Sequence, residues 1–199
     1  MNEEKHPGLD GLVAFHGHLC PGLAIGYRAT RAALERLGVE RARDEELVAI
    51  VENDSCSVDA AQYLAGTTFG KGNLFFRDWG KQVFTFGRRG EPGAIRVALK
   101  WDALPPSTAG AAGSGGTTAA PTPEEEQRQA AVWRQEKIEY ILNAPLDDLF
   151  DVRKVTIELP PRARILRSVR CDHCGEPVME TRTCKQDGRT LCAECAQEG

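Results

Sequence analysis

Leu47-Val48-Ala49-Ile50-Val51-Glu52-Asn53-Asp54-Ser55-Cys56-Ser57-Val58-Asp59 carries the chain from a continuous apolar run, through a polar turn, into a helical pattern. The run is short and rich in β-branched residues, the signature of a strand buried on both faces. Polar residues at the end of such a strand commonly form sites. Residues 58–64 then read as a short helix ended by Gly66. Upstream, Pro21 suits the first position of a longer helix reaching about Leu37, where Gly38 stops it. Leu23, Tyr27, Leu34 and Leu37 keep one face of that helix apolar, while Gly22, Gly26 and Ala29 let another backbone approach. Residues 9–15 form a further short helix.

Downstream, Val83-Phe84-Thr85-Phe86 and Ile95-Arg96-Val97-Ala98-Leu99 read as strands joined by a Gly/Pro turn. Residues 103–123 are dominated by Ala, Gly, Ser, Thr and Pro, a composition that buries too little to offset its ordering entropy, and read as a linker or insertion. A long helix with acidic residues at its start follows, from Pro123 to about Asn143. Residues 146–150 add a helical turn and 152–159 another strand. The expectation is an α+β fold with a small C-terminal zinc-binding domain. It divides into a metal-binding α+β domain (1–102), the linker (103–123), a helix and strand completing the core (124–168) and a zinc ribbon (169–199).

Hydrophobic residues make up 41% and charged residues 27% of the 199, the balance of a soluble globular chain. The formal charge of −4 supplies no basic field for nucleic acid or an anionic membrane. Arg162, Arg164, Arg167 and Arg170 lack interleaved aromatics and read as a solvated basic edge. No stretch approaches the ~20 apolar residues of a membrane span, and the charged Met1-Asn2-Glu3-Glu4-Lys5 start leads into no apolar run, so the cytoplasm is the expected location. Seven cysteines in such a setting point to metal binding or catalysis rather than disulfides.

Five of the seven fall near the C-terminus. Cys171-Asp172-His173-Cys174 and Cys192-Ala193-Glu194-Cys195 are two Cys-x-x-Cys pairs separated by 17 residues. A two-residue gap lets both thiolates of a pair point at one ion, and four such ligands are what structural zinc takes. Asp187-Gly188 marks a hairpin turn between 178–183 and 189–191. A thioredoxin-type redox pair would need a βαβ setting that is absent. Deaminase chemistry would need Pro before the pair and His-x-Glu upstream, where Arg170 and His16-Gly17-His18 stand. His173 and Cys184 fall outside the paired spacing, and a solvent-facing His173 is expected.

Phe15-His16-Gly17-His18-Leu19-Cys20-Pro21-Gly22 gathers a second set of ligands. In an extended segment His16, His18 and Cys20 would point the same way, and Cys20 falls at a helix N-cap, where the dipole favours negative charge. Imidazole with thiolate suits zinc, nickel, copper or ferrous iron. From these residues alone, metal binding and a nucleophilic Cys20 with a histidine base both stay open. Cys56 is an additional ligand or a buried free thiol. Asp54 and Asp59 either orient a histidine or cap the following helix. The Gly66-Thr67-Thr68-Phe69-Gly70-Lys71-Gly72 stretch is no phosphate loop: only three residues precede Gly70-Lys71, and Gly72 follows where Ser or Thr is needed. Lys71 and Lys81 there can attract an anionic ligand.

Three blocks carry a family resemblance: Phe15 to Gly22 with Gly26; Cys56-Ser57-Val58-Asp59-Ala60 with Gln62; and Gly70-Lys71-Gly72-Asn73-Leu74 with Asp78 and Gly80-Lys81. Over residues 9–100 the chain resembles the FmdE family, named for the E component of formylmethanofuran dehydrogenase, many members of which carry a C-terminal zinc module. The resemblance implies an α+β domain with a metal near the His/Cys motif, and a homodimer. It makes His18, Cys20 and Cys56 the preferred ligands, with His16 as a fourth group and Asp54, Asp59 and Lys71 around them. The metal would be zinc, nickel or iron. The family often has Cys where Thr67 stands. The family name refers to a molybdenum or tungsten enzyme, but this chain has no molybdopterin signature and no ferredoxin-like run of cysteines. The implied role is therefore an accessory to a large redox subunit. A stand-alone hydrolytic or redox metalloenzyme and a zinc-ribbon regulatory module are the alternatives.

Overall fold

The buried strand lies near the middle of a five-stranded sheet. A computed structural model describes residues 5–105 and 122–197. Strand β1 (Leu47–Val51) is buried at every position. It pairs in parallel with β2 (Leu74–Phe76) and antiparallel with β3 (Val83–Arg88). Beyond β3 come β4 (Ala94–Leu99) and β5 (Phe150–Val155), giving the order β2-β1-β3-β4-β5. A parallel pair needs a crossover, and α3 (Ser57–Ala65) supplies it between β1 and β2.

Helix α1 (Leu9–His16) precedes α2 (Pro21–Leu37), the most buried helix of the fold. Leu23, Tyr27 and Ala33 of α2 share one core with Leu47, Ala49 and Val51 of β1, Phe84 and Phe86 of β3 and Val97 of β4. The alternate residues Val48 and Ile50 are buried as well, so β1 is covered on both faces, as its unbroken apolar run requires. Leu159 lies where a side chain on Gly87 would collide with it.

The structure extends or moves several expected elements. The 146–150 turn is α5 (Leu146–Leu149), and the strand expected over 152–159 is β5, which begins and ends earlier. Strand β2 lay inside no expected element. It has three residues at a sheet edge, too few to show a period, and Phe76 is half exposed.

Helix α4 (Pro123–Asn143) begins with a capping box. The Thr122 side chain accepts from the Glu125 N–H, and the Glu125 carboxylate accepts from the Thr122 N–H. Only Ile138, Ile141 and Leu142 of this helix are buried. Its end is held by Arg28 of α2, which donates to the carbonyls of Ile141, Leu142 and Ala144. Of the expected linker, Ala103 is buried and Leu104 packs on the core, residues 106–121 lie outside the described residues, and Pro123 opens α4.

The chain divides into two compact units, Met1–Arg162 and Ala163–Gly199. In the second, β6 (Ser168–Arg170) pairs with β7 (Pro177–Met179), and β8 (Thr183–Gln186) pairs with β9 (Arg189–Cys192) across the Asp187-Gly188 turn. The turn is where the sequence puts it, but its upstream arm is 183–186. Val178 instead faces Val169 in the first hairpin. No described helix is long and apolar enough to cross a membrane.

Candidate metal centres

Helix α1 ends at His16, and Gly17 terminates it with φ 98° while its N–H bonds to the Val13 carbonyl. The extended alternation expected over 16–20 is therefore broken at its first residue. His16 leaves a helix end, and Cys20 sits at the N-cap of α2 with its Sγ accepting from the Leu23 N–H at 3.4 Å. The third sulfur comes from the turn between β1 and α3. Cys56 occupies the first position of that turn into α3 and uses no side-chain cap bond, which leaves its thiol free to face α2.

Small residues on α2 make the approach possible. A Cβ on Gly26 would lie 2.2 Å from the Ser57 carbonyl oxygen, and one on Gly22 would lie 3.3 Å from Cys56 Cβ. Two glycines one turn apart thus open the face of α2 against which the Cys56-Ser57 backbone rests. Ligand atoms of His16, Cys20 and Cys56 all come within 4.8 Å of one another.

His18 stands beside this group rather than in it. It is exposed, and its ring centroid lies 4.7 Å from that of His16 at a tilt of 37°. Asp59 reaches the far side of His16, with Oδ2 2.7 Å from Nδ1, while its other oxygen accepts from Gln62 Nε2 at 3.0 Å. With Asp59 accepting, the proton is assigned to Nδ1. Nε2, 4.0 Å from Cys20 Sγ, then presents its lone pair to the sulfurs. Burial raises the Cys56 thiol above its ordinary range, and the adjoining Cys20 thiol and then Asp59 add to the shift. Two crowded thiols and an oriented imidazole form a donor set that a borderline cation would relieve of its mutual repulsion.

The other candidates have different surroundings. Asp54 is exposed on the turn. Lys71 reaches the Asp44 carbonyl at 3.3 Å, and Asn73 Nδ2 donates to the Asp44 and Leu47 carbonyls, so the 66–73 loop is tied to the start of β1. Thr67 is buried, with its hydroxyl on the Ala61 carbonyl, as an extension of the end of α3. Spacing gave no hint of Asn53, Ser55 or Gln82, whose side chains bond to one another behind Cys56.

In the second unit, ligand atoms of Cys171, Cys174, Cys192 and Cys195 also converge within 4.8 Å of one another. Zinc–sulfur bonds of about 2.3 Å would hold four sulfurs roughly 3.8 Å apart. The Cys192 N–H donates to Cys171 Sγ, and the Cys195 N–H to Cys192 Sγ. Backbone donation from Cys192, then from His173, lowers the Cys171 thiol to about 6. Bonding to Cys192, then burial, pushes Cys195 up to about 12. A backbone bond from Glu176 favours the Cys174 thiolate, but burial and the neighbouring sulfurs Cys171 and Cys192 outweigh it and raise that thiol too. Four sulfurs this close cannot all ionise without a cation among them, so the donor set fits zinc. His173 is exposed as expected, and Cys184 lies on β8 opposite Leu191.

A family model described as FmdE, molybdenum formylmethanofuran dehydrogenase operon, matches residues 15–151. The chain belongs to the FmdE family. Residues 164–198 match the prokaryotic dksA/traR C4-type zinc finger, so this FmdE protein carries a zinc-finger module and is a metal-binding protein. A protein of Archaeoglobus fulgidus named "Probable S-adenosyl-L-methionine-binding protein" is 32% identical over 190 residues, covering 92% of this chain and 50% of that protein. The chain thus spans about half the length of the curated relative it matches. A solved FmdE-like protein of the tungsten formylmethanofuran dehydrogenase type, from Syntrophus aciditrophicus, superposes with a TM-score of 0.63 at 21% identity. The match covers 96% of this chain and 91% of that one, and bears on the fold alone.

Proposed function

We propose that this FmdE-family protein is an accessory metalloprotein that holds one transition metal at His16, Cys20 and Cys56 and one structural zinc at its four C-terminal cysteines. The observation that carries the reading is the convergence of three ligand atoms from three separate segments, with Asp59 holding the imidazole in the tautomer that a metal requires. Four thiolates close a zinc site, whereas three protein ligands are the number found where a further ligand exchanges. When bound, the N-terminal metal would supply Lewis-acid polarisation of that ligand. His18, exposed beside His16, is the fourth protein group within reach of rearrangement. Zinc, nickel and iron all match the nitrogen–sulfur set. The family's description supports a large redox-enzyme subunit as partner, and a homodimer accompanies that proposal.

Metal analysis of the purified chain tests the reading. Two metals per chain are expected, falling to one in Cys20→Ala and in Cys56→Ala. A single metal that survives both changes refutes the N-terminal centre. Co-purification with a large redox subunit supports the accessory role, while turnover by the isolated chain would favour a stand-alone enzyme. The same preparation is titrated with S-adenosyl-L-methionine, because the Archaeoglobus relative is named for binding it.

A further inference from the structure

Cys56 lies between two serines whose hydroxyls belong to one closed hydrogen-bond system. The Gln82 amide spans both: Nε2 donates to Ser55 Oγ at 2.9 Å, and Oε1 accepts from Ser57 Oγ at 3.0 Å. Ser55 Oγ in turn donates to Asn53 Oδ1 at 2.7 Å, and that same oxygen accepts the Ser55 N–H at 3.1 Å. Asn53 Nδ2 closes the system by donating to the Lys81 carbonyl at 2.9 Å.

The base of this system is rigid. The Gln82 carbonyl accepts from the Leu99 N–H of β4, the Lys81 N–H bonds to the Glu52 carbonyl, and the Glu52 N–H bonds to the Val83 carbonyl. Gln82 therefore reaches out from the start of β3, a fixed point of the sheet, to the residues on either side of Cys56. Asn53 and Ser57 are buried, so the bonds operate where water does not compete.

We propose that Gln82 is a positioning residue for the N-terminal metal centre, holding the 53–57 turn at the distance from α2 that lets Cys56 Sγ share an ion with Cys20 and His16. The inference rests on the proposed N-terminal metal site. Burial alone does not account for Gln82, because the Ser57 hydroxyl has a second acceptor, Asn53 Oδ1, at 3.1 Å. What Gln82 adds is a brace on both sides of the cysteine. Glycines on α2 limit how close the turn can come, and the Gln82 brace limits how far it can retreat. Metal–ligand distances tolerate only about ±0.2 Å, so a brace of this kind acts on affinity before it acts on folding.

The test uses the full chain with zinc in the C-terminal site, titrated with cobalt(II) against a chelator of known affinity. Gln82→Met keeps the length and removes both bonds. Its cobalt affinity at the N-terminal site is expected to fall about 10–100-fold, the usual effect of losing a residue that supports a ligand. The zinc site should keep its affinity, and the metal-free chain should keep its melting temperature. Gln82→Glu retains two acceptors toward hydroxyls that can rotate to donate, and should recover most of the lost affinity. Met-variant affinity within about twofold of the native chain overturns the proposal. So does a fall at both metal sites together with a lowered melting temperature, which would mark a purely structural role. A native chain that takes up no cobalt at the N-terminal site would overturn the metal reading itself, a result separable from a native chain that binds cobalt and a Gln82→Met variant that binds it equally well.

Discussion

Replacing Gly26 by Ala tests the step on which the N-terminal centre depends, the close approach of α2 to the Cys56 turn. The added Cβ would lie 2.2 Å from the Ser57 carbonyl oxygen, 2.6 Å from its Cα and 2.8 Å from its carbonyl carbon. These are backbone atoms at the start of α3, so no rotamer change relieves them. An ordinary carbon–oxygen contact is roughly 3.3 Å, and the two helices must part by about 1 Å. Two effects compete. Ala is favoured over Gly inside a helix by about 1 kcal/mol. Overpacking a tight contact costs about 1–3 kcal/mol, with the upper end applying where the neighbour cannot move. The net expectation is a loss of about 1–2 kcal/mol, or about 2–8 °C in the melting temperature of a unit of this size.

The metal should report the change more sharply than the fold. A 1 Å separation is several times the distance tolerance of a metal–ligand bond, so Gly26→Ala should lose the N-terminal metal while the zinc finger stays loaded. Gly70→Ala is the matched control, because nothing lies within 4 Å of its Cβ position. Differential scanning calorimetry with metal analysis on both variants decides the matter. A Gly26→Ala chain that melts at or above the native temperature and still holds two metals would refute the packing argument.

Arg28→Met removes the donors to the carbonyls of Ile141, Leu142 and Ala144. Denaturant unfolding should show a loss of about 1.5–3 kcal/mol, and Lys, which lacks the planar fork, should recover little of it. Asp59→Asn leaves an amide opposite His16 Nδ1 and should weaken cobalt(II) binding about tenfold in chelator competition. Chelating the zinc should unfold residues 163–199 and leave the first unit folded, seen as protease sensitivity confined to the second unit. Zinc uptake should also release protons. Cys174 and Cys195 are both raised above the ordinary thiol value, so each is protonated at pH 7 in the metal-free chain. Calorimetry in buffers of different ionisation enthalpy should therefore count about two protons or more released per zinc, and affinity should rise with pH. Cys171 runs the other way. Lowered to about 6, it contributes stability that is full above the ordinary thiol pKa and is lost as pH falls through about 6.

Elements with enough residues to show a period, or with a stop signal at a definite place, were readable from the sequence. The five-residue apolar run became β1, Pro21 opens α2 and Gly38 closes it, and Gly66 ends α3. The Asp187-Gly188 turn was equally plain, but its strands were not, because 178–186 contains two short apolar stretches and only pairing decides which one folds back. Strand β2 carries no local signal. Its existence follows from the parallel ladder to β1 and from Asn73, whose buried amide bonds the Asp44 and Leu47 carbonyls.

The N-terminal site shows where reading by spacing stops. Residue types named His16, His18, Cys20 and Cys56 as a set, but which of them converge depends on where α1 ends. With helix through His16 and a left-handed Gly17, the chain reverses direction between the two histidines, and two-residue alternation no longer applies. His16 then gains Asp59, 43 positions away, as the partner that fixes its tautomer. Cys56 reaches the group only because β1 delivers it to the carboxyl end of the sheet beside α2, where two glycines leave room. Topology that sets a strand's end against a helix's start brings nitrogen and sulfur together here, and the polar residues that hold the arrangement, Asn53 and Gln82 above all, are scattered along the chain at intervals that carry no chemical signature.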